Sequence, residues 1–482
     1  MAHFLLFSLV FSPGSHSAPD MPLLLIDVQH LPYLRIQSLV ALGQPLLKIL
    51  MYGRFGYAKM LGGGPYGRTR FNHVHSQFAD AFLHGICHIL PSDAVCYQKN
   101  FMQPVWGICV LDTANETGYN KNKEIGGSSM ICFHNDYSEG CHELILKRLQ
   151  ETNLEQTVGY GEDHYCGTAA DKIRIACGRD DLAVHFLVAG TQANFTVISA
   201  ALRPHQGVVC AESGHIHVHE TGAVEATGHK ILAVPSADGK ITANQVEQVV
   251  LEQRDSGSAE HMVQPKMVYI SNPTELGTLY TLEELTALHQ TCRQYGLYLF
   301  LDGARLGYGL TAKDNDVTLQ DIALLCDVFY IGGTKMGALF GEAVVISAPA
   351  IAEDFRYLIK QHGGMLAKGR LLGLQFDTLF TDDLYFELGR HANAMADQIR
   401  ETLESVGVSM YIPGCTNQLF PVFSDAFLAE LGQKFLFTEQ CRVDDAHRAV
   451  RFCTSWATSR ENVNALCVEI QRIHKNFIGN SV

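Results

Sequence analysis

The chain has 482 residues, too many for one compact core, so we expect two or three domains. Its hydrophobic content of 47% and charged content of 18% are ordinary for a globular protein, and its formal charge of −14 argues against a nucleic-acid or acidic-membrane partner. The 14 cysteines include no C-x-x-C pair and no His/Cys cluster at zinc spacing, so we expect no metal site, reduced cysteines and a cytoplasmic location. No apolar run reaches the ~18 residues that a membrane span needs.

Residues 1–129 differ from the rest in charge and in pattern. They hold nine Lys and Arg against seven Asp and Glu, whereas residues 130–482 hold 27 against 43. They show no sustained period of 3.6 or 2. Gly62–Gly67 matches G-x-G-x-x-G, but no clear strand precedes it, so we interpret it as a flexible turn rather than a dinucleotide site. Phe4–Phe11 is apolar but lacks the basic residues of a secretory signal. We predict an atypical N-terminal extension, with a poorly ordered or a spurious segment as the alternatives.

From Met130 onward, predicted helices and strands alternate. A helical stretch, Glu143–Thr152, is followed by a polar, Gly-rich loop, Gly159–Tyr165, and by a strand, His185–Ala189. Gly190 and Thr191 then open a helix. A strand, a Gly-Thr pair and a helix form a ready anion site, because free N–H groups and the helix dipole meet there. Gly190 and Thr191 are therefore candidate phosphate ligands, and a simple helix cap at Thr191 is the alternative.

The next short strand, Val208–Cys210, leads to His215. A histidine at such a place is often a polar surface residue. A flat imidazole at a strand end can instead stack on a cofactor ring. We choose His215 as the candidate because it is the histidine nearest the strand end.

Alternating helices and strands continue, which predicts a mostly parallel sheet with right-handed crossovers. Thr281 and Glu284 form a capping box at the start of a helix, and Gly296 ends that helix. The other predicted elements in this stretch are a strand, an amphipathic helix and a second strand: Ile231–Val234, Thr242–Gln253 and Met267–Ile270.

Two consecutive apolar runs end in residues that suggest cofactor chemistry. Tyr295–Leu301 ends at Asp302, and Val328–Ile331 ends in two glycines, a threonine and Lys335. In open α/β sheets the ligand site lies at the carboxyl ends of the strands, so Asp302 and Lys335 are expected in one crevice. A lysine there can form a Schiff base and an aspartate can hold a protonated pyridine nitrogen, which is the chemistry of pyridoxal 5′-phosphate (PLP). The alternatives are a turn-forming Asp302 and a solvated Lys335.

After the strand Val344–Ile346 the pattern changes to long helices, predicted at Ile351–Gln375 and Leu384–Val406, with a basic, Gly-rich turn at Gln361–Arg370. From about Ser409 the chain has the pattern of a small α+β domain. Its predicted strand Ala449–Trp456 carries Arg451. We therefore predict a large α/β domain at residues 130–350, and linking helices and a small C-terminal domain at residues 351–482.

These residues resemble the threonine aldolase/β-eliminating lyase family of fold type I PLP enzymes, across about Phe133 to Ile470. The resemblance implies a large α/β domain of the seven-stranded type, a small C-terminal α+β domain and a homo-oligomer, either a dimer or a tetramer. The segments that carry it are Asn135–Gly140, Gly190–Asn194, Gly214–Ile216, Leu301–Arg305, Thr334–Lys335 and Val450–Phe452.

The resemblance also implies roles at the matching positions. Lys335 would be the Schiff-base lysine, Asp302 would pair with the pyridine nitrogen, and Arg305 would support the ring hydroxyl or its surroundings. Gly190 and Thr191 would hold the phosphate, and His215 would stack on the ring. Arg451 would clamp the substrate carboxylate, with Arg370 as the next candidate, and its planar fork suits that bidentate contact. Ser138 and Tyr165 would lie near the substrate, either in the same subunit or in a neighbouring one.

The sequence departs from the family at Ser271–Thr274. Threonine aldolases commonly have Glu-Asn-Thr-His there, and the missing histidine would lie near the substrate hydroxyl. Three hypotheses therefore remain open. The first is an aldolase-type lyase that releases glycine and an aldehyde from a β-hydroxy amino acid. The second is a β-eliminating lyase that releases pyruvate and ammonia from an aromatic or sulfur amino acid. The third is a PLP-binding protein without catalysis.

Overall fold

The computed structural model describes residues 130–479 and, before them, six strands of two or three residues each. The chain divides into two compact units, Met1–Asn115 and Glu116–Val482. In the first unit the short strands pair antiparallel, two by two. They are β1 (Leu5–Phe7), β2 (Leu24–Ile26), β3 (Val40–Ala41), β4 (Gln44–Pro45), β5 (Lys48–Leu50) and β6 (Lys59–Leu61). The rest of residues 1–129, including Gly62–Gly67, lies outside the described residues. Our prediction for this extension therefore stays a prediction.

Thirteen strands are described in the second unit. They are β7 (Ile131–Cys132), β8 (Ala183–Leu187), β9 (Gln206–Ala211), β10 (Lys230–Val234), β11 (Gln264–Ser271), β12 (Tyr298–Asp302), β13 (Val328–Gly332), β14 (Glu342–Ile346), β15 (Met410–Ile412), β16 (Gln418–Ser424), β17 (Phe435–Leu436), β18 (Thr438–Arg442) and β19 (His447–Cys453).

The helices of the described chain follow the same order. They are α1 (Glu143–Glu151), α2 (His164–Cys177), α3 (Gly190–Ala201), α4 (His215–Val218), α5 (Ala223–Ala226), α6 (Ala243–Arg254), α7 (Leu282–Tyr295), α8 (Leu306–Leu310), α9 (Leu319–Leu325), α10 (Pro349–Ala352), α11 (Phe355–Gln361), α12 (Arg370–Leu379), α13 (Leu384–Ser405), α14 (Asp425–Leu431) and α15 (Arg460–Gly479). None of the helices in this part of the chain is long and apolar enough to cross a membrane.

The large domain is built on one seven-stranded sheet in the order β10-β9-β11-β12-β13-β14-β8. Strand β14 is antiparallel to both of its neighbours, and every other adjacent pair is parallel. The prediction of a mostly parallel sheet of the seven-stranded type is confirmed. Strands β9, β13 and β14 are buried along their whole length, because helices cover both faces of the sheet.

The small C-terminal domain packs a four-stranded antiparallel sheet, in the order β15-β16-β19-β18, against α13, α14 and α15. This confirms the predicted small α+β domain. Strand β7 pairs with β17, and Phe133 lies in the core of this domain. The segment Ile131–Phe133 therefore packs with the small domain before the chain continues into the large one.

Two predicted elements differ from the structure for local reasons. The helical stretch predicted at Ile351–Gln375 consists of α10, α11 and α12. The predicted turn at Gln361–Arg370 lies between α11 and α12, where Gly363 has a φ of +74°, and the break between α10 and α11 was not predicted. The loop predicted at Gly159–Tyr165 is shorter, because Asp163 caps α2 by accepting a hydrogen bond from the N–H of Cys166. Tyr165 is therefore a buried helical residue and not a loop residue.

Candidate active site

The carboxyl ends of β12 and β13 are brought unusually close by glycines. A Cβ on Gly303 would lie 2.0 Å from the carbonyl oxygen of Tyr330, and a Cβ on Gly332 would lie 2.4 Å from that of Ala304. Only glycine permits this approach of the two backbones. Asp302 is the last residue of β12, and Lys335 follows β13 by three residues. The structure therefore brings the two predicted residues to the same edge of the sheet.

Asp302 is buried and fully hydrogen-bonded. Its Oδ2 accepts from the Tyr269 hydroxyl at 2.5 Å and from Asn194 Nδ2 at 3.1 Å, and its Oδ1 accepts from the N–H of Ala304 at 3.0 Å. Burial alone would raise the pKa of this carboxyl, but the charge of His215 and the hydrogen bonds hold it below its ordinary value. Asp302 is therefore a buried anion rather than only a turn-forming residue.

His215 is joined to Asp302 through a short polar network. Its Nδ1 lies 2.8 Å from Oε1 of Glu220, and Asn194 Nδ2 donates to the same oxygen at 2.7 Å while it also contacts Asp302. Burial lowers the pKa of the His215 imidazole, but the hydrogen bond to Glu220 and the charges of Asp302 and Glu220 outweigh it and raise the pKa. The contact with Glu220 therefore fixes the orientation of the His215 ring and favours its protonated form.

The N-terminus of α3 offers free backbone donors. No side chain accepts a hydrogen bond at its N-cap, Ala189, so the alternative of a simple helix cap at Thr191 does not agree with the cap geometry. A Cβ on Gly190 would lie 3.0 Å from the Tyr330 hydroxyl, so this end of the helix is pressed against β13. Free N–H groups and the helix dipole at such an end suit an anionic group.

Lys335 is half-buried among charged groups of both signs. Burial lowers its pKa first, and the Arg305 cation lowers it further, while the carboxyl groups of Asp136, Glu342 and Asp302 act in the opposite direction. The net result is a pKa below the ordinary value for lysine. Such an amine is more readily neutral, and therefore more nucleophilic, than a solvated one.

Arg305 forms a bidentate pair with Asp136. Its Nε and Nη2 lie 2.7 Å and 3.0 Å from the two carboxylate oxygens, and Asn417 Nδ2 of the small domain donates to Asp136 at 3.0 Å. Asp136 is fully buried, and burial would raise its pKa, but Arg305 and Lys335 hold it below the ordinary value. This contact fastens the segment before α1 to both domains.

Arg451 lies on β19 of the small domain. Its Nη1 donates to Oε1 of Gln418 at 3.3 Å and its Nη2 to the carbonyl oxygen of His134 at 3.2 Å. Its charge contributes to the lowered pKa of His219, after burial and the charge of His215. Neither of these two contacts is an acid.

Ser138 and Tyr165 have contacts outside the Asp302 network. The Ser138 hydroxyl donates to Oδ1 of Asn135 at 2.9 Å on an exposed segment. The Tyr165 hydroxyl donates to Oε2 of Glu155 at 2.7 Å, and the guanidinium of Arg148 lies 5.8 Å from its ring centre. Their predicted place near the substrate stays a prediction.

Several site residues were not predicted from the sequence. Asp136, Asn194 and Glu220 lie within or beside motifs that carry the family resemblance, so closer attention to those motifs would have found them. Tyr269 lies within an apolar strand, and Glu342 is the first residue of another. Asn417 lies far along the chain, in the small domain. No local signal marks these three, because their roles depend on which strands become neighbours.

A seven-stranded α/β sheet with an acid and a lysine at the carboxyl ends of adjacent strands, and a small antiparallel domain beside it, is the architecture of fold type I PLP enzymes. The chain belongs to the β-eliminating lyase family, whose model matches residues 134–426. This confirms the resemblance stated from the sequence.

Relatives with known structures or curated functions agree with this family. The chain is 45% identical to a threonine aldolase of Leishmania major, with a TM-score of 0.70 over 71% of this chain and 99% of that one. It is 30% identical over 344 residues to a low specificity L-threonine aldolase of Pseudomonas aeruginosa. This match covers 70% of this chain and 96% of the relative. An aspartate aminotransferase of Thermus thermophilus, 15% identical with a TM-score of 0.54, shares the fold alone.

Proposed function

We propose that this protein is a PLP-dependent carbon–carbon lyase that cleaves a β-hydroxy amino acid of the threonine type to glycine and an aldehyde. The observation that carries the proposal is the meeting of Lys335 and the ionised Asp302 at the ends of adjacent strands. The similarity to two threonine aldolases supports the substrate class.

The residues at this edge of the sheet fit PLP in chemistry and in shape. The free N–H groups of Gly190 and Thr191 would hold the phosphate. Asp302 would keep the pyridine nitrogen protonated, His215 would cover the ring, and Lys335 would attach the cofactor covalently. Arg305, already paired with Asp136, would stabilise the surroundings of the ring hydroxyl. When bound, PLP supplies the electron sink for the bond that breaks.

The substrate would be oriented by the small domain. Arg451 would bind the α-carboxylate through two parallel N–H···O bonds, and the carboxylate would take up the guanidinium contacts now made to Gln418 and His134. Fixing that carboxylate decides which bond to Cα stands perpendicular to the cofactor ring. Ser138 and Tyr165 would complete the substrate site, from the same subunit or from a neighbouring one.

β-Elimination is the second candidate, and one observation favours it. The loop after β11 reads Ser271-Asn272-Pro273-Thr274, so it lacks the histidine that threonine aldolases commonly have. The thiol or aromatic leaving group of an elimination substrate does not need a base at a β-hydroxyl. Pyruvate and ammonia would then replace glycine and an aldehyde as products.

The test is a product analysis of the purified full chain on a panel of β-hydroxy, aromatic and sulfur amino acids. We expect glycine and an aldehyde in equal amounts from a β-hydroxy substrate. The variant Asp302→Asn is the matched control, because it keeps the shape of the side chain but removes the charge, and its turnover should fall by orders of magnitude while it stays folded. Pyruvate and ammonia would establish the second candidate. A PLP-loaded protein that releases none of these products would leave only the non-catalytic hypothesis.

The proposal includes an amino-acid substrate, a cytoplasmic location and a homo-oligomer, either a dimer or a tetramer. Support for association comes from exposed apolar side chains of Leu154, Val158, Tyr160 and Tyr357. Sedimentation analysis of the full chain tests it, and a monomer at every concentration would contradict it.

A further inference from the structure

Tyr269 lies within β11 and is the diagonal neighbour of Asp302 on the adjacent strand. In the parallel register of β11 and β12, Asp302 pairs with Ser271, two residues beyond Tyr269. Side chains alternate between the two faces of a sheet, so Tyr269 and Asp302 project from the same face. The Tyr269 ring packs edge-on against Phe300 with ring centres 5.5 Å apart, and its exposed fraction is 1%. The fold therefore places one buried phenol beside the site carboxylate.

The Tyr269 hydroxyl donates a hydrogen bond to Asp302 Oδ2 at 2.5 Å, a length typical of an O–H bond to an ionised carboxylate. Ser271 Oγ lies 3.4 Å from the phenol oxygen, and its hydroxyl has a closer acceptor in Glu275 Oε1 at 2.8 Å. Burial, followed by the charge of Asp302, raises the pKa of the phenol well above its ordinary value. The hydroxyl therefore keeps its proton and stays a donor to Asp302.

The packing of Tyr269 does not by itself require a hydroxyl. Its ring belongs to the same apolar cluster as Val208, Met267 and Phe300, and a phenylalanine would fill that space. A phenol buried among such side chains is costly unless it finds a hydrogen-bond partner. The bond to Asp302 meets that need, so the effect of the hydroxyl is concentrated on this carboxylate.

Asp302 depends on such donors to stay ionised in the interior. Burial alone would raise its pKa, and the charge of His215 is the largest effect that lowers it. The Tyr269 hydroxyl comes next, followed by the Tyr330 hydroxyl. Asn194 Nδ2 is a second donor to the oxygen that Tyr269 contacts, at 3.1 Å. Other titratable groups whose pKa values respond to the Asp302 charge are Glu275, Lys335 and Glu342.

We propose that Tyr269 is a positioning residue whose hydroxyl stabilises the charge of Asp302 and thereby keeps the shared proton on the pyridine nitrogen of PLP. This role rests on the proposed function, because it requires PLP beside Asp302. A pyridine nitrogen and a buried carboxylate hold one proton between them, either as pyridinium and carboxylate or as pyridine and carboxylic acid. A donor to the carboxylate stabilises the first state, because it favours the charged form of the acid. The pyridinium form is the better electron sink.

The test observes the position of that proton directly. PLP labelled with nitrogen-15 in its ring is loaded onto the full chain, and the chemical shift in solid-state NMR distinguishes a protonated from a neutral ring nitrogen. We expect a protonated nitrogen in the wild type. Tyr269→Phe keeps the packing of the ring and removes one oxygen atom, so it should fold and bind PLP. Its signal should move part of the way toward the neutral value, because Asn194 and Tyr330 remain.

Tyr280→Phe is the matched control, because it removes the hydroxyl of another buried tyrosine. The Tyr280 hydroxyl accepts a hydrogen bond from the N–H of Ile241 at 2.7 Å and has a structural role. Its loss should lower the stability of the fold and leave the nitrogen-15 shift at the wild-type value. Equal shifts in the wild type and in Tyr269→Phe would overturn the proposal, and so would a neutral ring nitrogen in the wild type.

A second measurement, on PLP-free protein, separates this proposal from the proposed function. Urea unfolding at neutral pH compares the wild type, Tyr269→Phe, Asp302→Asn and the double variant. With Asp302 present, loss of the hydroxyl should raise the unfolding equilibrium constant about 10-fold or more, because a hydrogen bond to a charged group is lost. With Asn at position 302 the effect should be much smaller.

Equal effects of Tyr269→Phe in the two backgrounds would show that the hydroxyl does not stabilise the Asp302 charge, and the proposal would fall. A chain that shows the difference between the backgrounds but does not bind PLP would instead contradict the proposed function, and the cofactor role of Tyr269 with it. The two failures are therefore distinguishable.

Discussion

Arg451 combines a partly buried guanidinium with weak, neutral contacts. Its bonds to Gln418 and to the His134 carbonyl oxygen are 3.3 Å and 3.2 Å long, longer than a charge-assisted pair with an acid. Such an arginine is ready to exchange these contacts for a substrate carboxylate. These contacts favour Arg451 over Arg370 as the residue that binds the substrate carboxylate.

The substitution Arg451→Lys keeps the charge but loses the planar fork. We expect KM for the best amino-acid substrate to rise about 10-fold or more, because one charge-assisted hydrogen bond contributes about 1.5–3 kcal/mol. The PLP absorbance and Tm should change little. Arg448→Lys is the control on the same strand, since Arg448 pairs with Asp425 and Glu439 on the surface. If KM in Arg451→Lys equals that of the wild type, another residue binds the substrate carboxylate.

The pair of His215 and Glu220 should make stability depend on pH in a defined direction. The folded-state pKa of His215 is raised, so its stabilising contribution is complete below its unfolded pKa of about 6.5 and is lost as pH rises through the raised value. The free energy of unfolding of the wild type minus that of Glu220→Gln should therefore be largest at about pH 5.5 and smaller at about pH 9. Urea unfolding of PLP-free protein measures it. A difference that is flat or that grows with pH would contradict the role of this pair.

At the scale of single residues, the sequence indicated Asp302, Lys335, His215 and Arg451 because each stands in a recognisable local pattern. It missed Tyr269 and Glu342 because an acid or phenol in an apolar strand has no meaning until the neighbouring strands are known. Glu342 reaches Thr334 only because β14 turns back antiparallel along β13.

At the scale of elements, the helix α7 was predicted almost to the residue because its ends are encoded locally. The Thr281 hydroxyl accepts from the N–H of Glu284, the Glu284 carboxylate accepts from the N–H of Thr281, and Gly296 closes the helix with φ of +65°. The antiparallel direction of β14 was not predicted, since direction within a sheet depends on distant partners. The turn predicted at Gln361–Arg370 coincides with the break between α11 and α12, whereas the break between α10 and α11 was not predicted.

The capping box of α7 gives a stability prediction that is separate from catalysis. Thr281→Ala should lower the free energy of unfolding by about 1 kcal/mol, because one N–H of the first turn loses its acceptor. Thr281→Ser keeps the hydroxyl and should be close to the parent. Chemical denaturation measures both, and kcat should stay within about twofold in each. A destabilised serine variant would show that the methyl group, and not the cap, matters here.

At the scale of the whole molecule, the site depends on contacts between segments far apart in sequence. Asp136 comes from the segment before α1, Arg305 follows β12, and Asn417 comes from the small domain. The family resemblance predicted that these segments belong to one enzyme. It did not predict their bonds, because a contact across 281 positions leaves no local trace.

The composition of residues 1–129 leads us to propose that they add little to the catalytic part of the chain. We expect residues 130–482, expressed alone, to fold, to bind PLP and to keep the activity of the full chain. Circular dichroism, PLP absorbance and the product assay check this on both proteins. Loss of folding or of PLP in the shorter protein only would mean that the first 129 residues are structural.

The most direct test of the account is the identity of the lysine that carries PLP. Borohydride reduction of the PLP-loaded full chain, followed by peptide mapping, fixes the cofactor on its attachment site. The account predicts a single labelled peptide that contains Lys335, and no labelled peptide in Lys335→Ala. A label on Lys360 or Lys368 with Lys335 unmodified would contradict the assignment of the site.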